Sequence, residues 1–161
     1  MALRKPLVIV AGQIQQLQAG DTLNAAVTES EIISVTNGSG GAVALTIGTP
    51  VYISGNDTVK KANAAALSTA NVVGLVADVS IADGDPGTVV VEGVLTATTA
   101  QWDAVTGGAG GLVAGTLYYL DATAGLLTAT PLTTVGQYVA PIGVALSTVA
   151  LKLDVEPTIL L

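Results

Sequence analysis

Apolar residues along this chain come in short runs of roughly five to nine positions separated by glycine, proline and small polar residues, a spacing that suits strands better than helices. The runs are rich in Val, Ile and Thr, whose branched side chains favour the pleated, half-buried surface of a sheet. Strands are predicted at Leu7 to Val10, Gln13 to Leu17, Ile32 to Thr36, Val51 to Ser54 and Val72 to Val79. Five more are predicted at Thr88 to Leu95, Leu117 to Leu120, Leu126 to Thr130, Val139 to Leu146 and Ala150 to Val155. Turn chemistry separates them at Asn37-Gly38, Gly55-Asn56-Asp57, Asp83-Gly84-Asp85-Pro86-Gly87 and Ala124-Gly125. One short helix is expected near Ala100 to Val105. Thr98 and Gln101 have the spacing of a capping box there, and Trp102 supplies an apolar anchor that would plug an end of a barrel.

The pattern also repeats. A shift of 67 positions lays Gly41, Ala42, Leu45, Gly48, Thr49, Tyr52 and Ala62 on Gly108, Ala109, Leu112, Gly115, Thr116, Tyr119 and Ala129. Beyond a two-residue gap, Gly74 falls on Gly143. Two copies are too few for a solenoid but enough for one pseudo-symmetric core. The expected fold is therefore all-β: a compact β-barrel or β-sandwich built from two pseudo-repeats, about 41–80 and 108–147, within a β domain at 37–161. Residues 1–36 are expected to form an extended N-terminal arm.

Composition sharpens this picture. Half of the 161 residues are apolar and the mean hydropathy is +0.67. No stretch reaches the roughly 18 apolar residues of a membrane helix, so an integral membrane protein is not expected. Arg4-Lys5 followed by Leu7-Val8-Ile9-Val10 imitates a secretory signal, but that run is short and passes directly into the polar Gln13 to Gln18, so no cleaved leader is expected. Charged residues make up 11% of the chain, against about 25% in ordinary domains. A surface so poor in charge is expected to be covered in part by other copies or by a lattice, which makes obligate assembly the natural reading.

Charge and residue inventory then exclude several function classes. The net charge is −7, and five cations, Arg4, Lys5, Lys60, Lys61 and Lys152, offer no patch to neutralise a run of phosphates, so no nucleic acid is expected as partner. The chain has no His and no Cys. Disulfides, thiolate and imidazole metal sites, Ser/His/Asp triads and Cys/His dyads are all excluded. No catalytic residue, metal site or cofactor is expected. Among carboxylates, Asp83 with Asp85 reads as a solvated turn rather than a calcium loop, since no fuller ligand set follows at the required spacing. Glu29 and Glu31 read as one polar strand face rather than a glycosidase pair. Gly107 to Gly111 lacks the pattern of a phosphate-cradling loop and precedes strand-like residues. Tyr52, Tyr118, Tyr119 and Tyr138 could form a carbohydrate platform but are expected to pack in core or interface. Asn37-Gly38-Ser39 matches a glycosylation sequon and is read as a turn.

The stretch from Leu3 to Leu23 has no partner in the repeat. It is extended in character, broken by Gly12 and Gly20. Such an arm can add a strand to a neighbouring sheet, with Leu7, Ile9, Ile14 and Leu17 as its interface side chains. The alternative is that it forms the first strand of the domain itself.

Several phrases are similar to those of a family of small β-structured virion proteins of tailed bacteriophages. They are Gly48-Thr-Pro-Val-Tyr52, Val73-Gly-Leu-Val76, Gly111-Leu-Val-Ala-Gly115-Thr-Leu-Tyr-Tyr-Leu-Asp121, Gly136-Gln-Tyr-Val139, Ile142-Gly-Val-Ala-Leu-Ser147 and Glu156-Pro-Thr-Ile-Leu-Leu161. The opening, with Lys5-Pro-Leu-Val-Ile-Val10, Gly12-Gln-Ile-Gln-Gln-Leu17 and Gly20-Asp-Thr-Leu23, resembles the N-terminal segment of phage decoration, head-fibre and tail-fibre proteins. The resemblance implies a virion structural protein, a homotrimer without catalytic residues. Its partners would be the major capsid protein or other virion proteins. A capsid decoration (cement) protein on the outer head surface is expected first, and a tail or head fibre module for host attachment is the alternative.

Overall fold

The computed structural model describes residues 7–10, 13–16 and 30–161. Residues 30–161 are mostly β, with 41% strand and 9% helix, so their core must be built by sheet faces. Near the start, β1 (Leu7–Val10) and β2 (Gln13–Gln16) pair antiparallel, Ile9 opposite Ile14. From residue 30 the order is β3 (Glu31–Asn37), β4 (Leu45–Thr46), β5 (Pro50–Gly55), β6 (Thr58–Lys61), α1 (Leu67–Ala70), β7 (Gly74–Val76), β8 (Ser80–Ile81) and β9 (Pro86–Thr96). There follow α2 (Thr99–Thr106), β10 (Leu117–Leu120), β11 (Leu127–Thr128), β12 (Tyr138–Val139), β13 (Pro141–Ala145), β14 (Ala150–Leu153) and β15 (Ile159–Leu160).

Five of these strands close a barrel in the order β3-β6-β5-β7-β9 and back to β3. Closure depends on a short parallel contact, Thr36 with Thr58 and Asn37 with Val59; the other four seams are antiparallel. Residues 31–36, expected to belong with the arm, are therefore a stave of this barrel, held to β9 from Glu31↔Glu92 to Thr36↔Pro86. The reason is the alternation Ile33, Val35, Asn37, which turns one face of β3 inward.

The long strand β9 serves two sheets. Its first part seams the barrel, and Gly93 to Thr96 pair with β14, which continues through β13 and β10 to β11. Gly93 stands at the change with φ +107°, a conformation side chains disfavour. Two cores result. One fills the barrel with Val35, Leu45, Val51, Val59, Val76, Ile81 and Val89. The larger lies between the barrel and the second sheet and contains Leu75, Val90, Trp102, Leu120, Ile142 and Leu151. Strands β7 and β9 are the shared wall: Val76 and Val89 point into one core, Leu75 and Val90 into the other. Strands buried on both faces read as unbroken apolar runs, which accounts for Leu75-Val76 and Val89-Val90-Val91.

Helix α2 forms as expected from its cap. The Thr98 hydroxyl accepts from the Gln101 N–H, the Gln101 carboxamide oxygen accepts from the Thr98 N–H at 2.8 Å, and Gly107 ends the helix at φ +66°. Trp102 is fully buried and its indole N–H donates to the Val149 carbonyl at 3.0 Å. It does not plug the barrel. Trp102 belongs to the larger core, beneath the turn at Gly48, where a Cβ would come within 3.1 Å of the indole ring. The barrel interior instead takes Leu45 and Ile81 from the small β4–β8 ladder. Predicted strands also contract where the chain changes partners. Val139 to Leu146 breaks at Ala140, because β12 pairs with β15 while β13 pairs with β10.

Candidate functional site

The most densely bonded polar group is Asn37 at the inner end of β3. Its side chain is fully buried. Nδ2 donates to the carbonyls of Val43 and Ile81, both at 2.9 Å, and Oδ1 accepts from the Ser39 N–H at 2.9 Å. Its backbone N–H donates to the Asp85 carbonyl at 3.0 Å and its carbonyl accepts from the Gly84 N–H at 2.7 Å. Asn37 thus ties the segment after β3 to the β8–β9 loop. The same two loops are joined again by Asp83, whose carboxylate accepts from the Gly40 N–H at 2.7 Å and the Ala42 N–H at 3.2 Å. Asp83 lies in a turn, as expected, and its carboxylate also clamps the two loops, because the chain after β3 turns its amides toward it. Asn37 ends a strand as the turn reading required, and its Nδ2 is held by two hydrogen bonds inside the fold.

Other candidates are absorbed by the fold in similar ways. Asp103 of α2 accepts from the Gly110 N–H at 3.1 Å and the Gly111 N–H at 2.7 Å, so the glycine-rich loop spends these amides on its own helix. Tyr118 is buried and its hydroxyl accepts from the Val113 N–H at 3.1 Å. Tyr52 and Tyr138 pack half-buried against the larger core. Glu31 stands directly opposite Glu92 across the β3–β9 seam, both exposed, with Glu29 outside the described residues. Of the residues expected to form an arm interface, Leu7 and Ile9 lie on β1 and Ile14 on β2; Leu17 lies outside the described residues. Among the described residues no group of three or more His, Cys, Asp or Glu is placed to hold a metal ion, and no helix is long and apolar enough to cross a membrane.

No family model and no curated protein matches the chain.

What the structure assembles on the surface is an apolar edge at the C-terminal end. Strand β15 pairs with β12, Tyr138 opposite Leu160 and Val139 opposite Ile159. Two further bonds, Gly136 N–H to the Leu161 carbonyl and Leu161 N–H to the Gln137 carbonyl, both 3.0 Å, bring Val135 beside the chain end. Ile159 and Leu160 are 62% and 60% exposed although successive strand residues face opposite sides, so both faces of β15 are open. Val135 is 87% exposed. In the sequence this segment stands out only as part of a family-like phrase. The signal that could have found it is three consecutive large aliphatic residues after a Pro, with no alternation to hide one face.

Proposed function

We propose that this chain is a non-enzymatic structural subunit of a bacteriophage virion: a capsid decoration protein that binds the outer head surface as a homotrimer. The observation that carries the assembly part is the apolar edge of β15 with Val135. Large aliphatic side chains held on both faces of an ordered edge strand are an interaction surface, because a soluble β protein ordinarily blunts such an edge with charge or proline. Ile159 and Leu160 alone would each contribute about 1–2 kcal/mol on covering their exposed part. The virion part is supported by the family-like phrases of the sequence. The N-terminal arm, with Leu7, Ile9, Ile14 and Leu17, is proposed as the segment that reaches the shell; its β1–β2 ladder offers outer edges for strand addition.

The same reading takes 41–80 and 108–147 as two copies of one unit. Matching registers support it. Pro50↔Leu75 and Val51↔Gly74 correspond to Leu117↔Val144 and Tyr118↔Gly143. The Gly48 N–H bonds the Val76 carbonyl at 2.9 Å as Gly115 bonds Ala145 at 2.8 Å, and both glycines have φ near +80°. Gly74 and Gly143 each allow a neighbouring carbonyl, that of Val90 or Lys152, to lie where a Cβ would stand.

Light scattering tests the assembly, with the Ile159→Ser/Leu160→Ser variant expected to shift the oligomer toward monomer at micromolar concentration. Co-sedimentation with virions stripped of the protein tests the location, with a chain lacking residues 1–23 expected to stay folded by circular dichroism but lose the capsid. Failure of the folded full-length oligomer to bind stripped virions would overturn the decoration role.

A further inference from the structure

The turns at Gly48 and Gly115 are bonded alike. The Thr49 N–H donates to the Thr46 carbonyl at 3.0 Å and the Thr116 N–H to the Val113 carbonyl at 3.1 Å. Each turn is then tied to the next strand, by the Val76 N–H to the Thr49 carbonyl at 3.0 Å and by the Ala145 N–H to the Thr116 carbonyl at 2.9 Å. Their surroundings differ. A Cβ on Gly48 would lie 3.1 Å from the Trp102 ring and 3.2 Å from Val105, because after β9 the chain folds α2 over that turn. Among the described residues nothing lies within 4 Å of a Cβ on Gly115. Strand β14 pairs with β13 as β9 pairs with β7, yet after β14 the chain runs to β15 and joins β12 instead.

The difference leaves an apolar face bare. Leu75 is fully buried and Ala77 packs against the larger core, whereas at the matching places in the second half Val144 and Leu146 are exposed. Val113, in the turn itself, is exposed as well. Large aliphatic side chains grouped at positions whose counterparts are covered make a contact surface. It carries one charge, since Lys152 stands opposite Val144 where Val90 stands opposite Leu75.

We propose that a second copy of this chain covers the Gly115 face with its β15 edge. The cover over Gly48 is a tryptophan and a valine, so the matching cover should be apolar, and Ile159, Leu160 and Val135 supply that chemistry. Charge agrees. Glu156 is exposed just before β15, and its N–H donates to the Pro141 carbonyl at 3.2 Å, which sets it at the start of β13, while Lys152 stands toward the other end of that strand. A neighbour's Glu156 can therefore meet Lys152 as its aliphatic edge meets Val113, Val144 and Leu146, a complementarity that fixes the orientation of docking. Within one copy both patches stay exposed, so a chain does not cover its own turn. A contact between two different patches is head-to-tail, the kind that closes into a ring, as a trimer requires. This inference rests on the assembly and two-unit readings above.

The test is sedimentation velocity of the full-length protein at micromolar concentration, with circular dichroism as the folding control. All substituted positions are exposed. Val113→Ser/Leu146→Ser and Ile159→Ser/Leu160→Ser should each weaken association about tenfold or more. Lys152→Glu and Glu156→Lys should each weaken it as well, because like charges then meet, and a chain carrying both should recover most of the loss at low salt. A full-length chain that is monomeric would overturn both the assembly reading and this one. An oligomer that the edge variant dissociates and the turn variant leaves intact would overturn this pairing alone. If that folded, still oligomeric turn variant also fails to co-sediment with stripped virions, the face belongs to the shell rather than to a second copy. Charge reversals without effect, or a loss that the double variant fails to repair, would likewise overturn the pairing.

Discussion

Replacing Asn37 should cost more stability than any other single polar change in the described part of the chain. Asn37→Ala removes three side-chain hydrogen bonds at 2.9 Å and leaves the carbonyls of Val43 and Ile81 and the Ser39 N–H to find new partners. At about 1 kcal/mol net for each bond the loss is about 3 kcal/mol, and it rises where a stranded buried group stays unsatisfied. Against a total stability of roughly 5–15 kcal/mol this is a large fraction. For a chain of this length about 3 kcal/mol lowers Tm by roughly 6–12 °C. Asn37→Asp is the sharper variant, because it keeps the oxygen that accepts from Ser39 but points a second oxygen at two carbonyls. At neutral pH it should be at least as destabilising as Ala. Burial without a donor raises the folded-state pKa of that new carboxyl above its unfolded value of about 3.9. The penalty is therefore present above the folded pKa and fades as pH falls toward the unfolded one, where the protonated acid donates one bond. Thermal melts followed by circular dichroism across that range provide the assay. A Tm for Asn37→Ala within about 1 °C of the parent, below what even one lost bond should move, would refute the claim that this side chain holds the two loops.

Three further substitutions test other parts of the fold. Glu92→Gln removes a like-charge pair directly across the β3–β9 seam and should stabilise by about 0.2–1 kcal/mol, read as a higher urea midpoint whose gain shrinks with added salt; an unchanged midpoint at low salt would show that the carboxylates do not feel each other. Gly74→Ala and Gly143→Ala each drive a methyl group into a strand carbonyl, where backbone rather than a flexible side chain must move, and each should cost about 3 kcal/mol or more. Equal losses in the two variants, measured by denaturant unfolding, are what equivalent units require, and tolerance of either would count against the close strand approach.

Much of the fold was legible because it is local. The run Leu117 to Leu120 becomes β10 with the expected bounds, and α2 begins where its capping box placed it. The sequence offers no bounds for strand β6, because Thr58-Val-Lys-Lys61 has one buried side chain, Val59, and otherwise reads as polar. Its role is to close the barrel through a parallel contact with β3 some twenty residues away, which no local period reveals, and so barrel and sandwich could not be separated from sequence. Asn37 was read only as the first residue of an Asn-Gly turn. The clue to its burial was present: it follows Ile33 and Val35 at two-residue spacing, which continues the inward face of a strand. Asp83 and Asp103 could not be read as clamps, since each bonds amides whose direction is fixed by positive-φ residues, Gly40, Gly41 and Ala42 in one loop and Gly110 and Gly111 in the other.

The shared wall links this architecture to the proposed role. Because β7 and β9 send alternate side chains into two cores, loosening the barrel exposes Leu75 and Val90 on its back, and loosening the second layer exposes the same wall from the other side. Neither layer has a surface of its own to retreat to. The Glu31–Glu92 repulsion sits at the seam where the barrel hands β9 over to β14, and Gly93 with its positive φ absorbs the bend there. The ladder of β15 with β12 and the segment around residue 136 carries the exposed Ile159, Leu160 and Val135, none of which belongs to either core. An assembly protein gains from that separation. Burying Ile159, Leu160 and Val135 against a partner completes an edge already ordered by its ladder, so association orders little new backbone and the apolar contact retains most of its free energy.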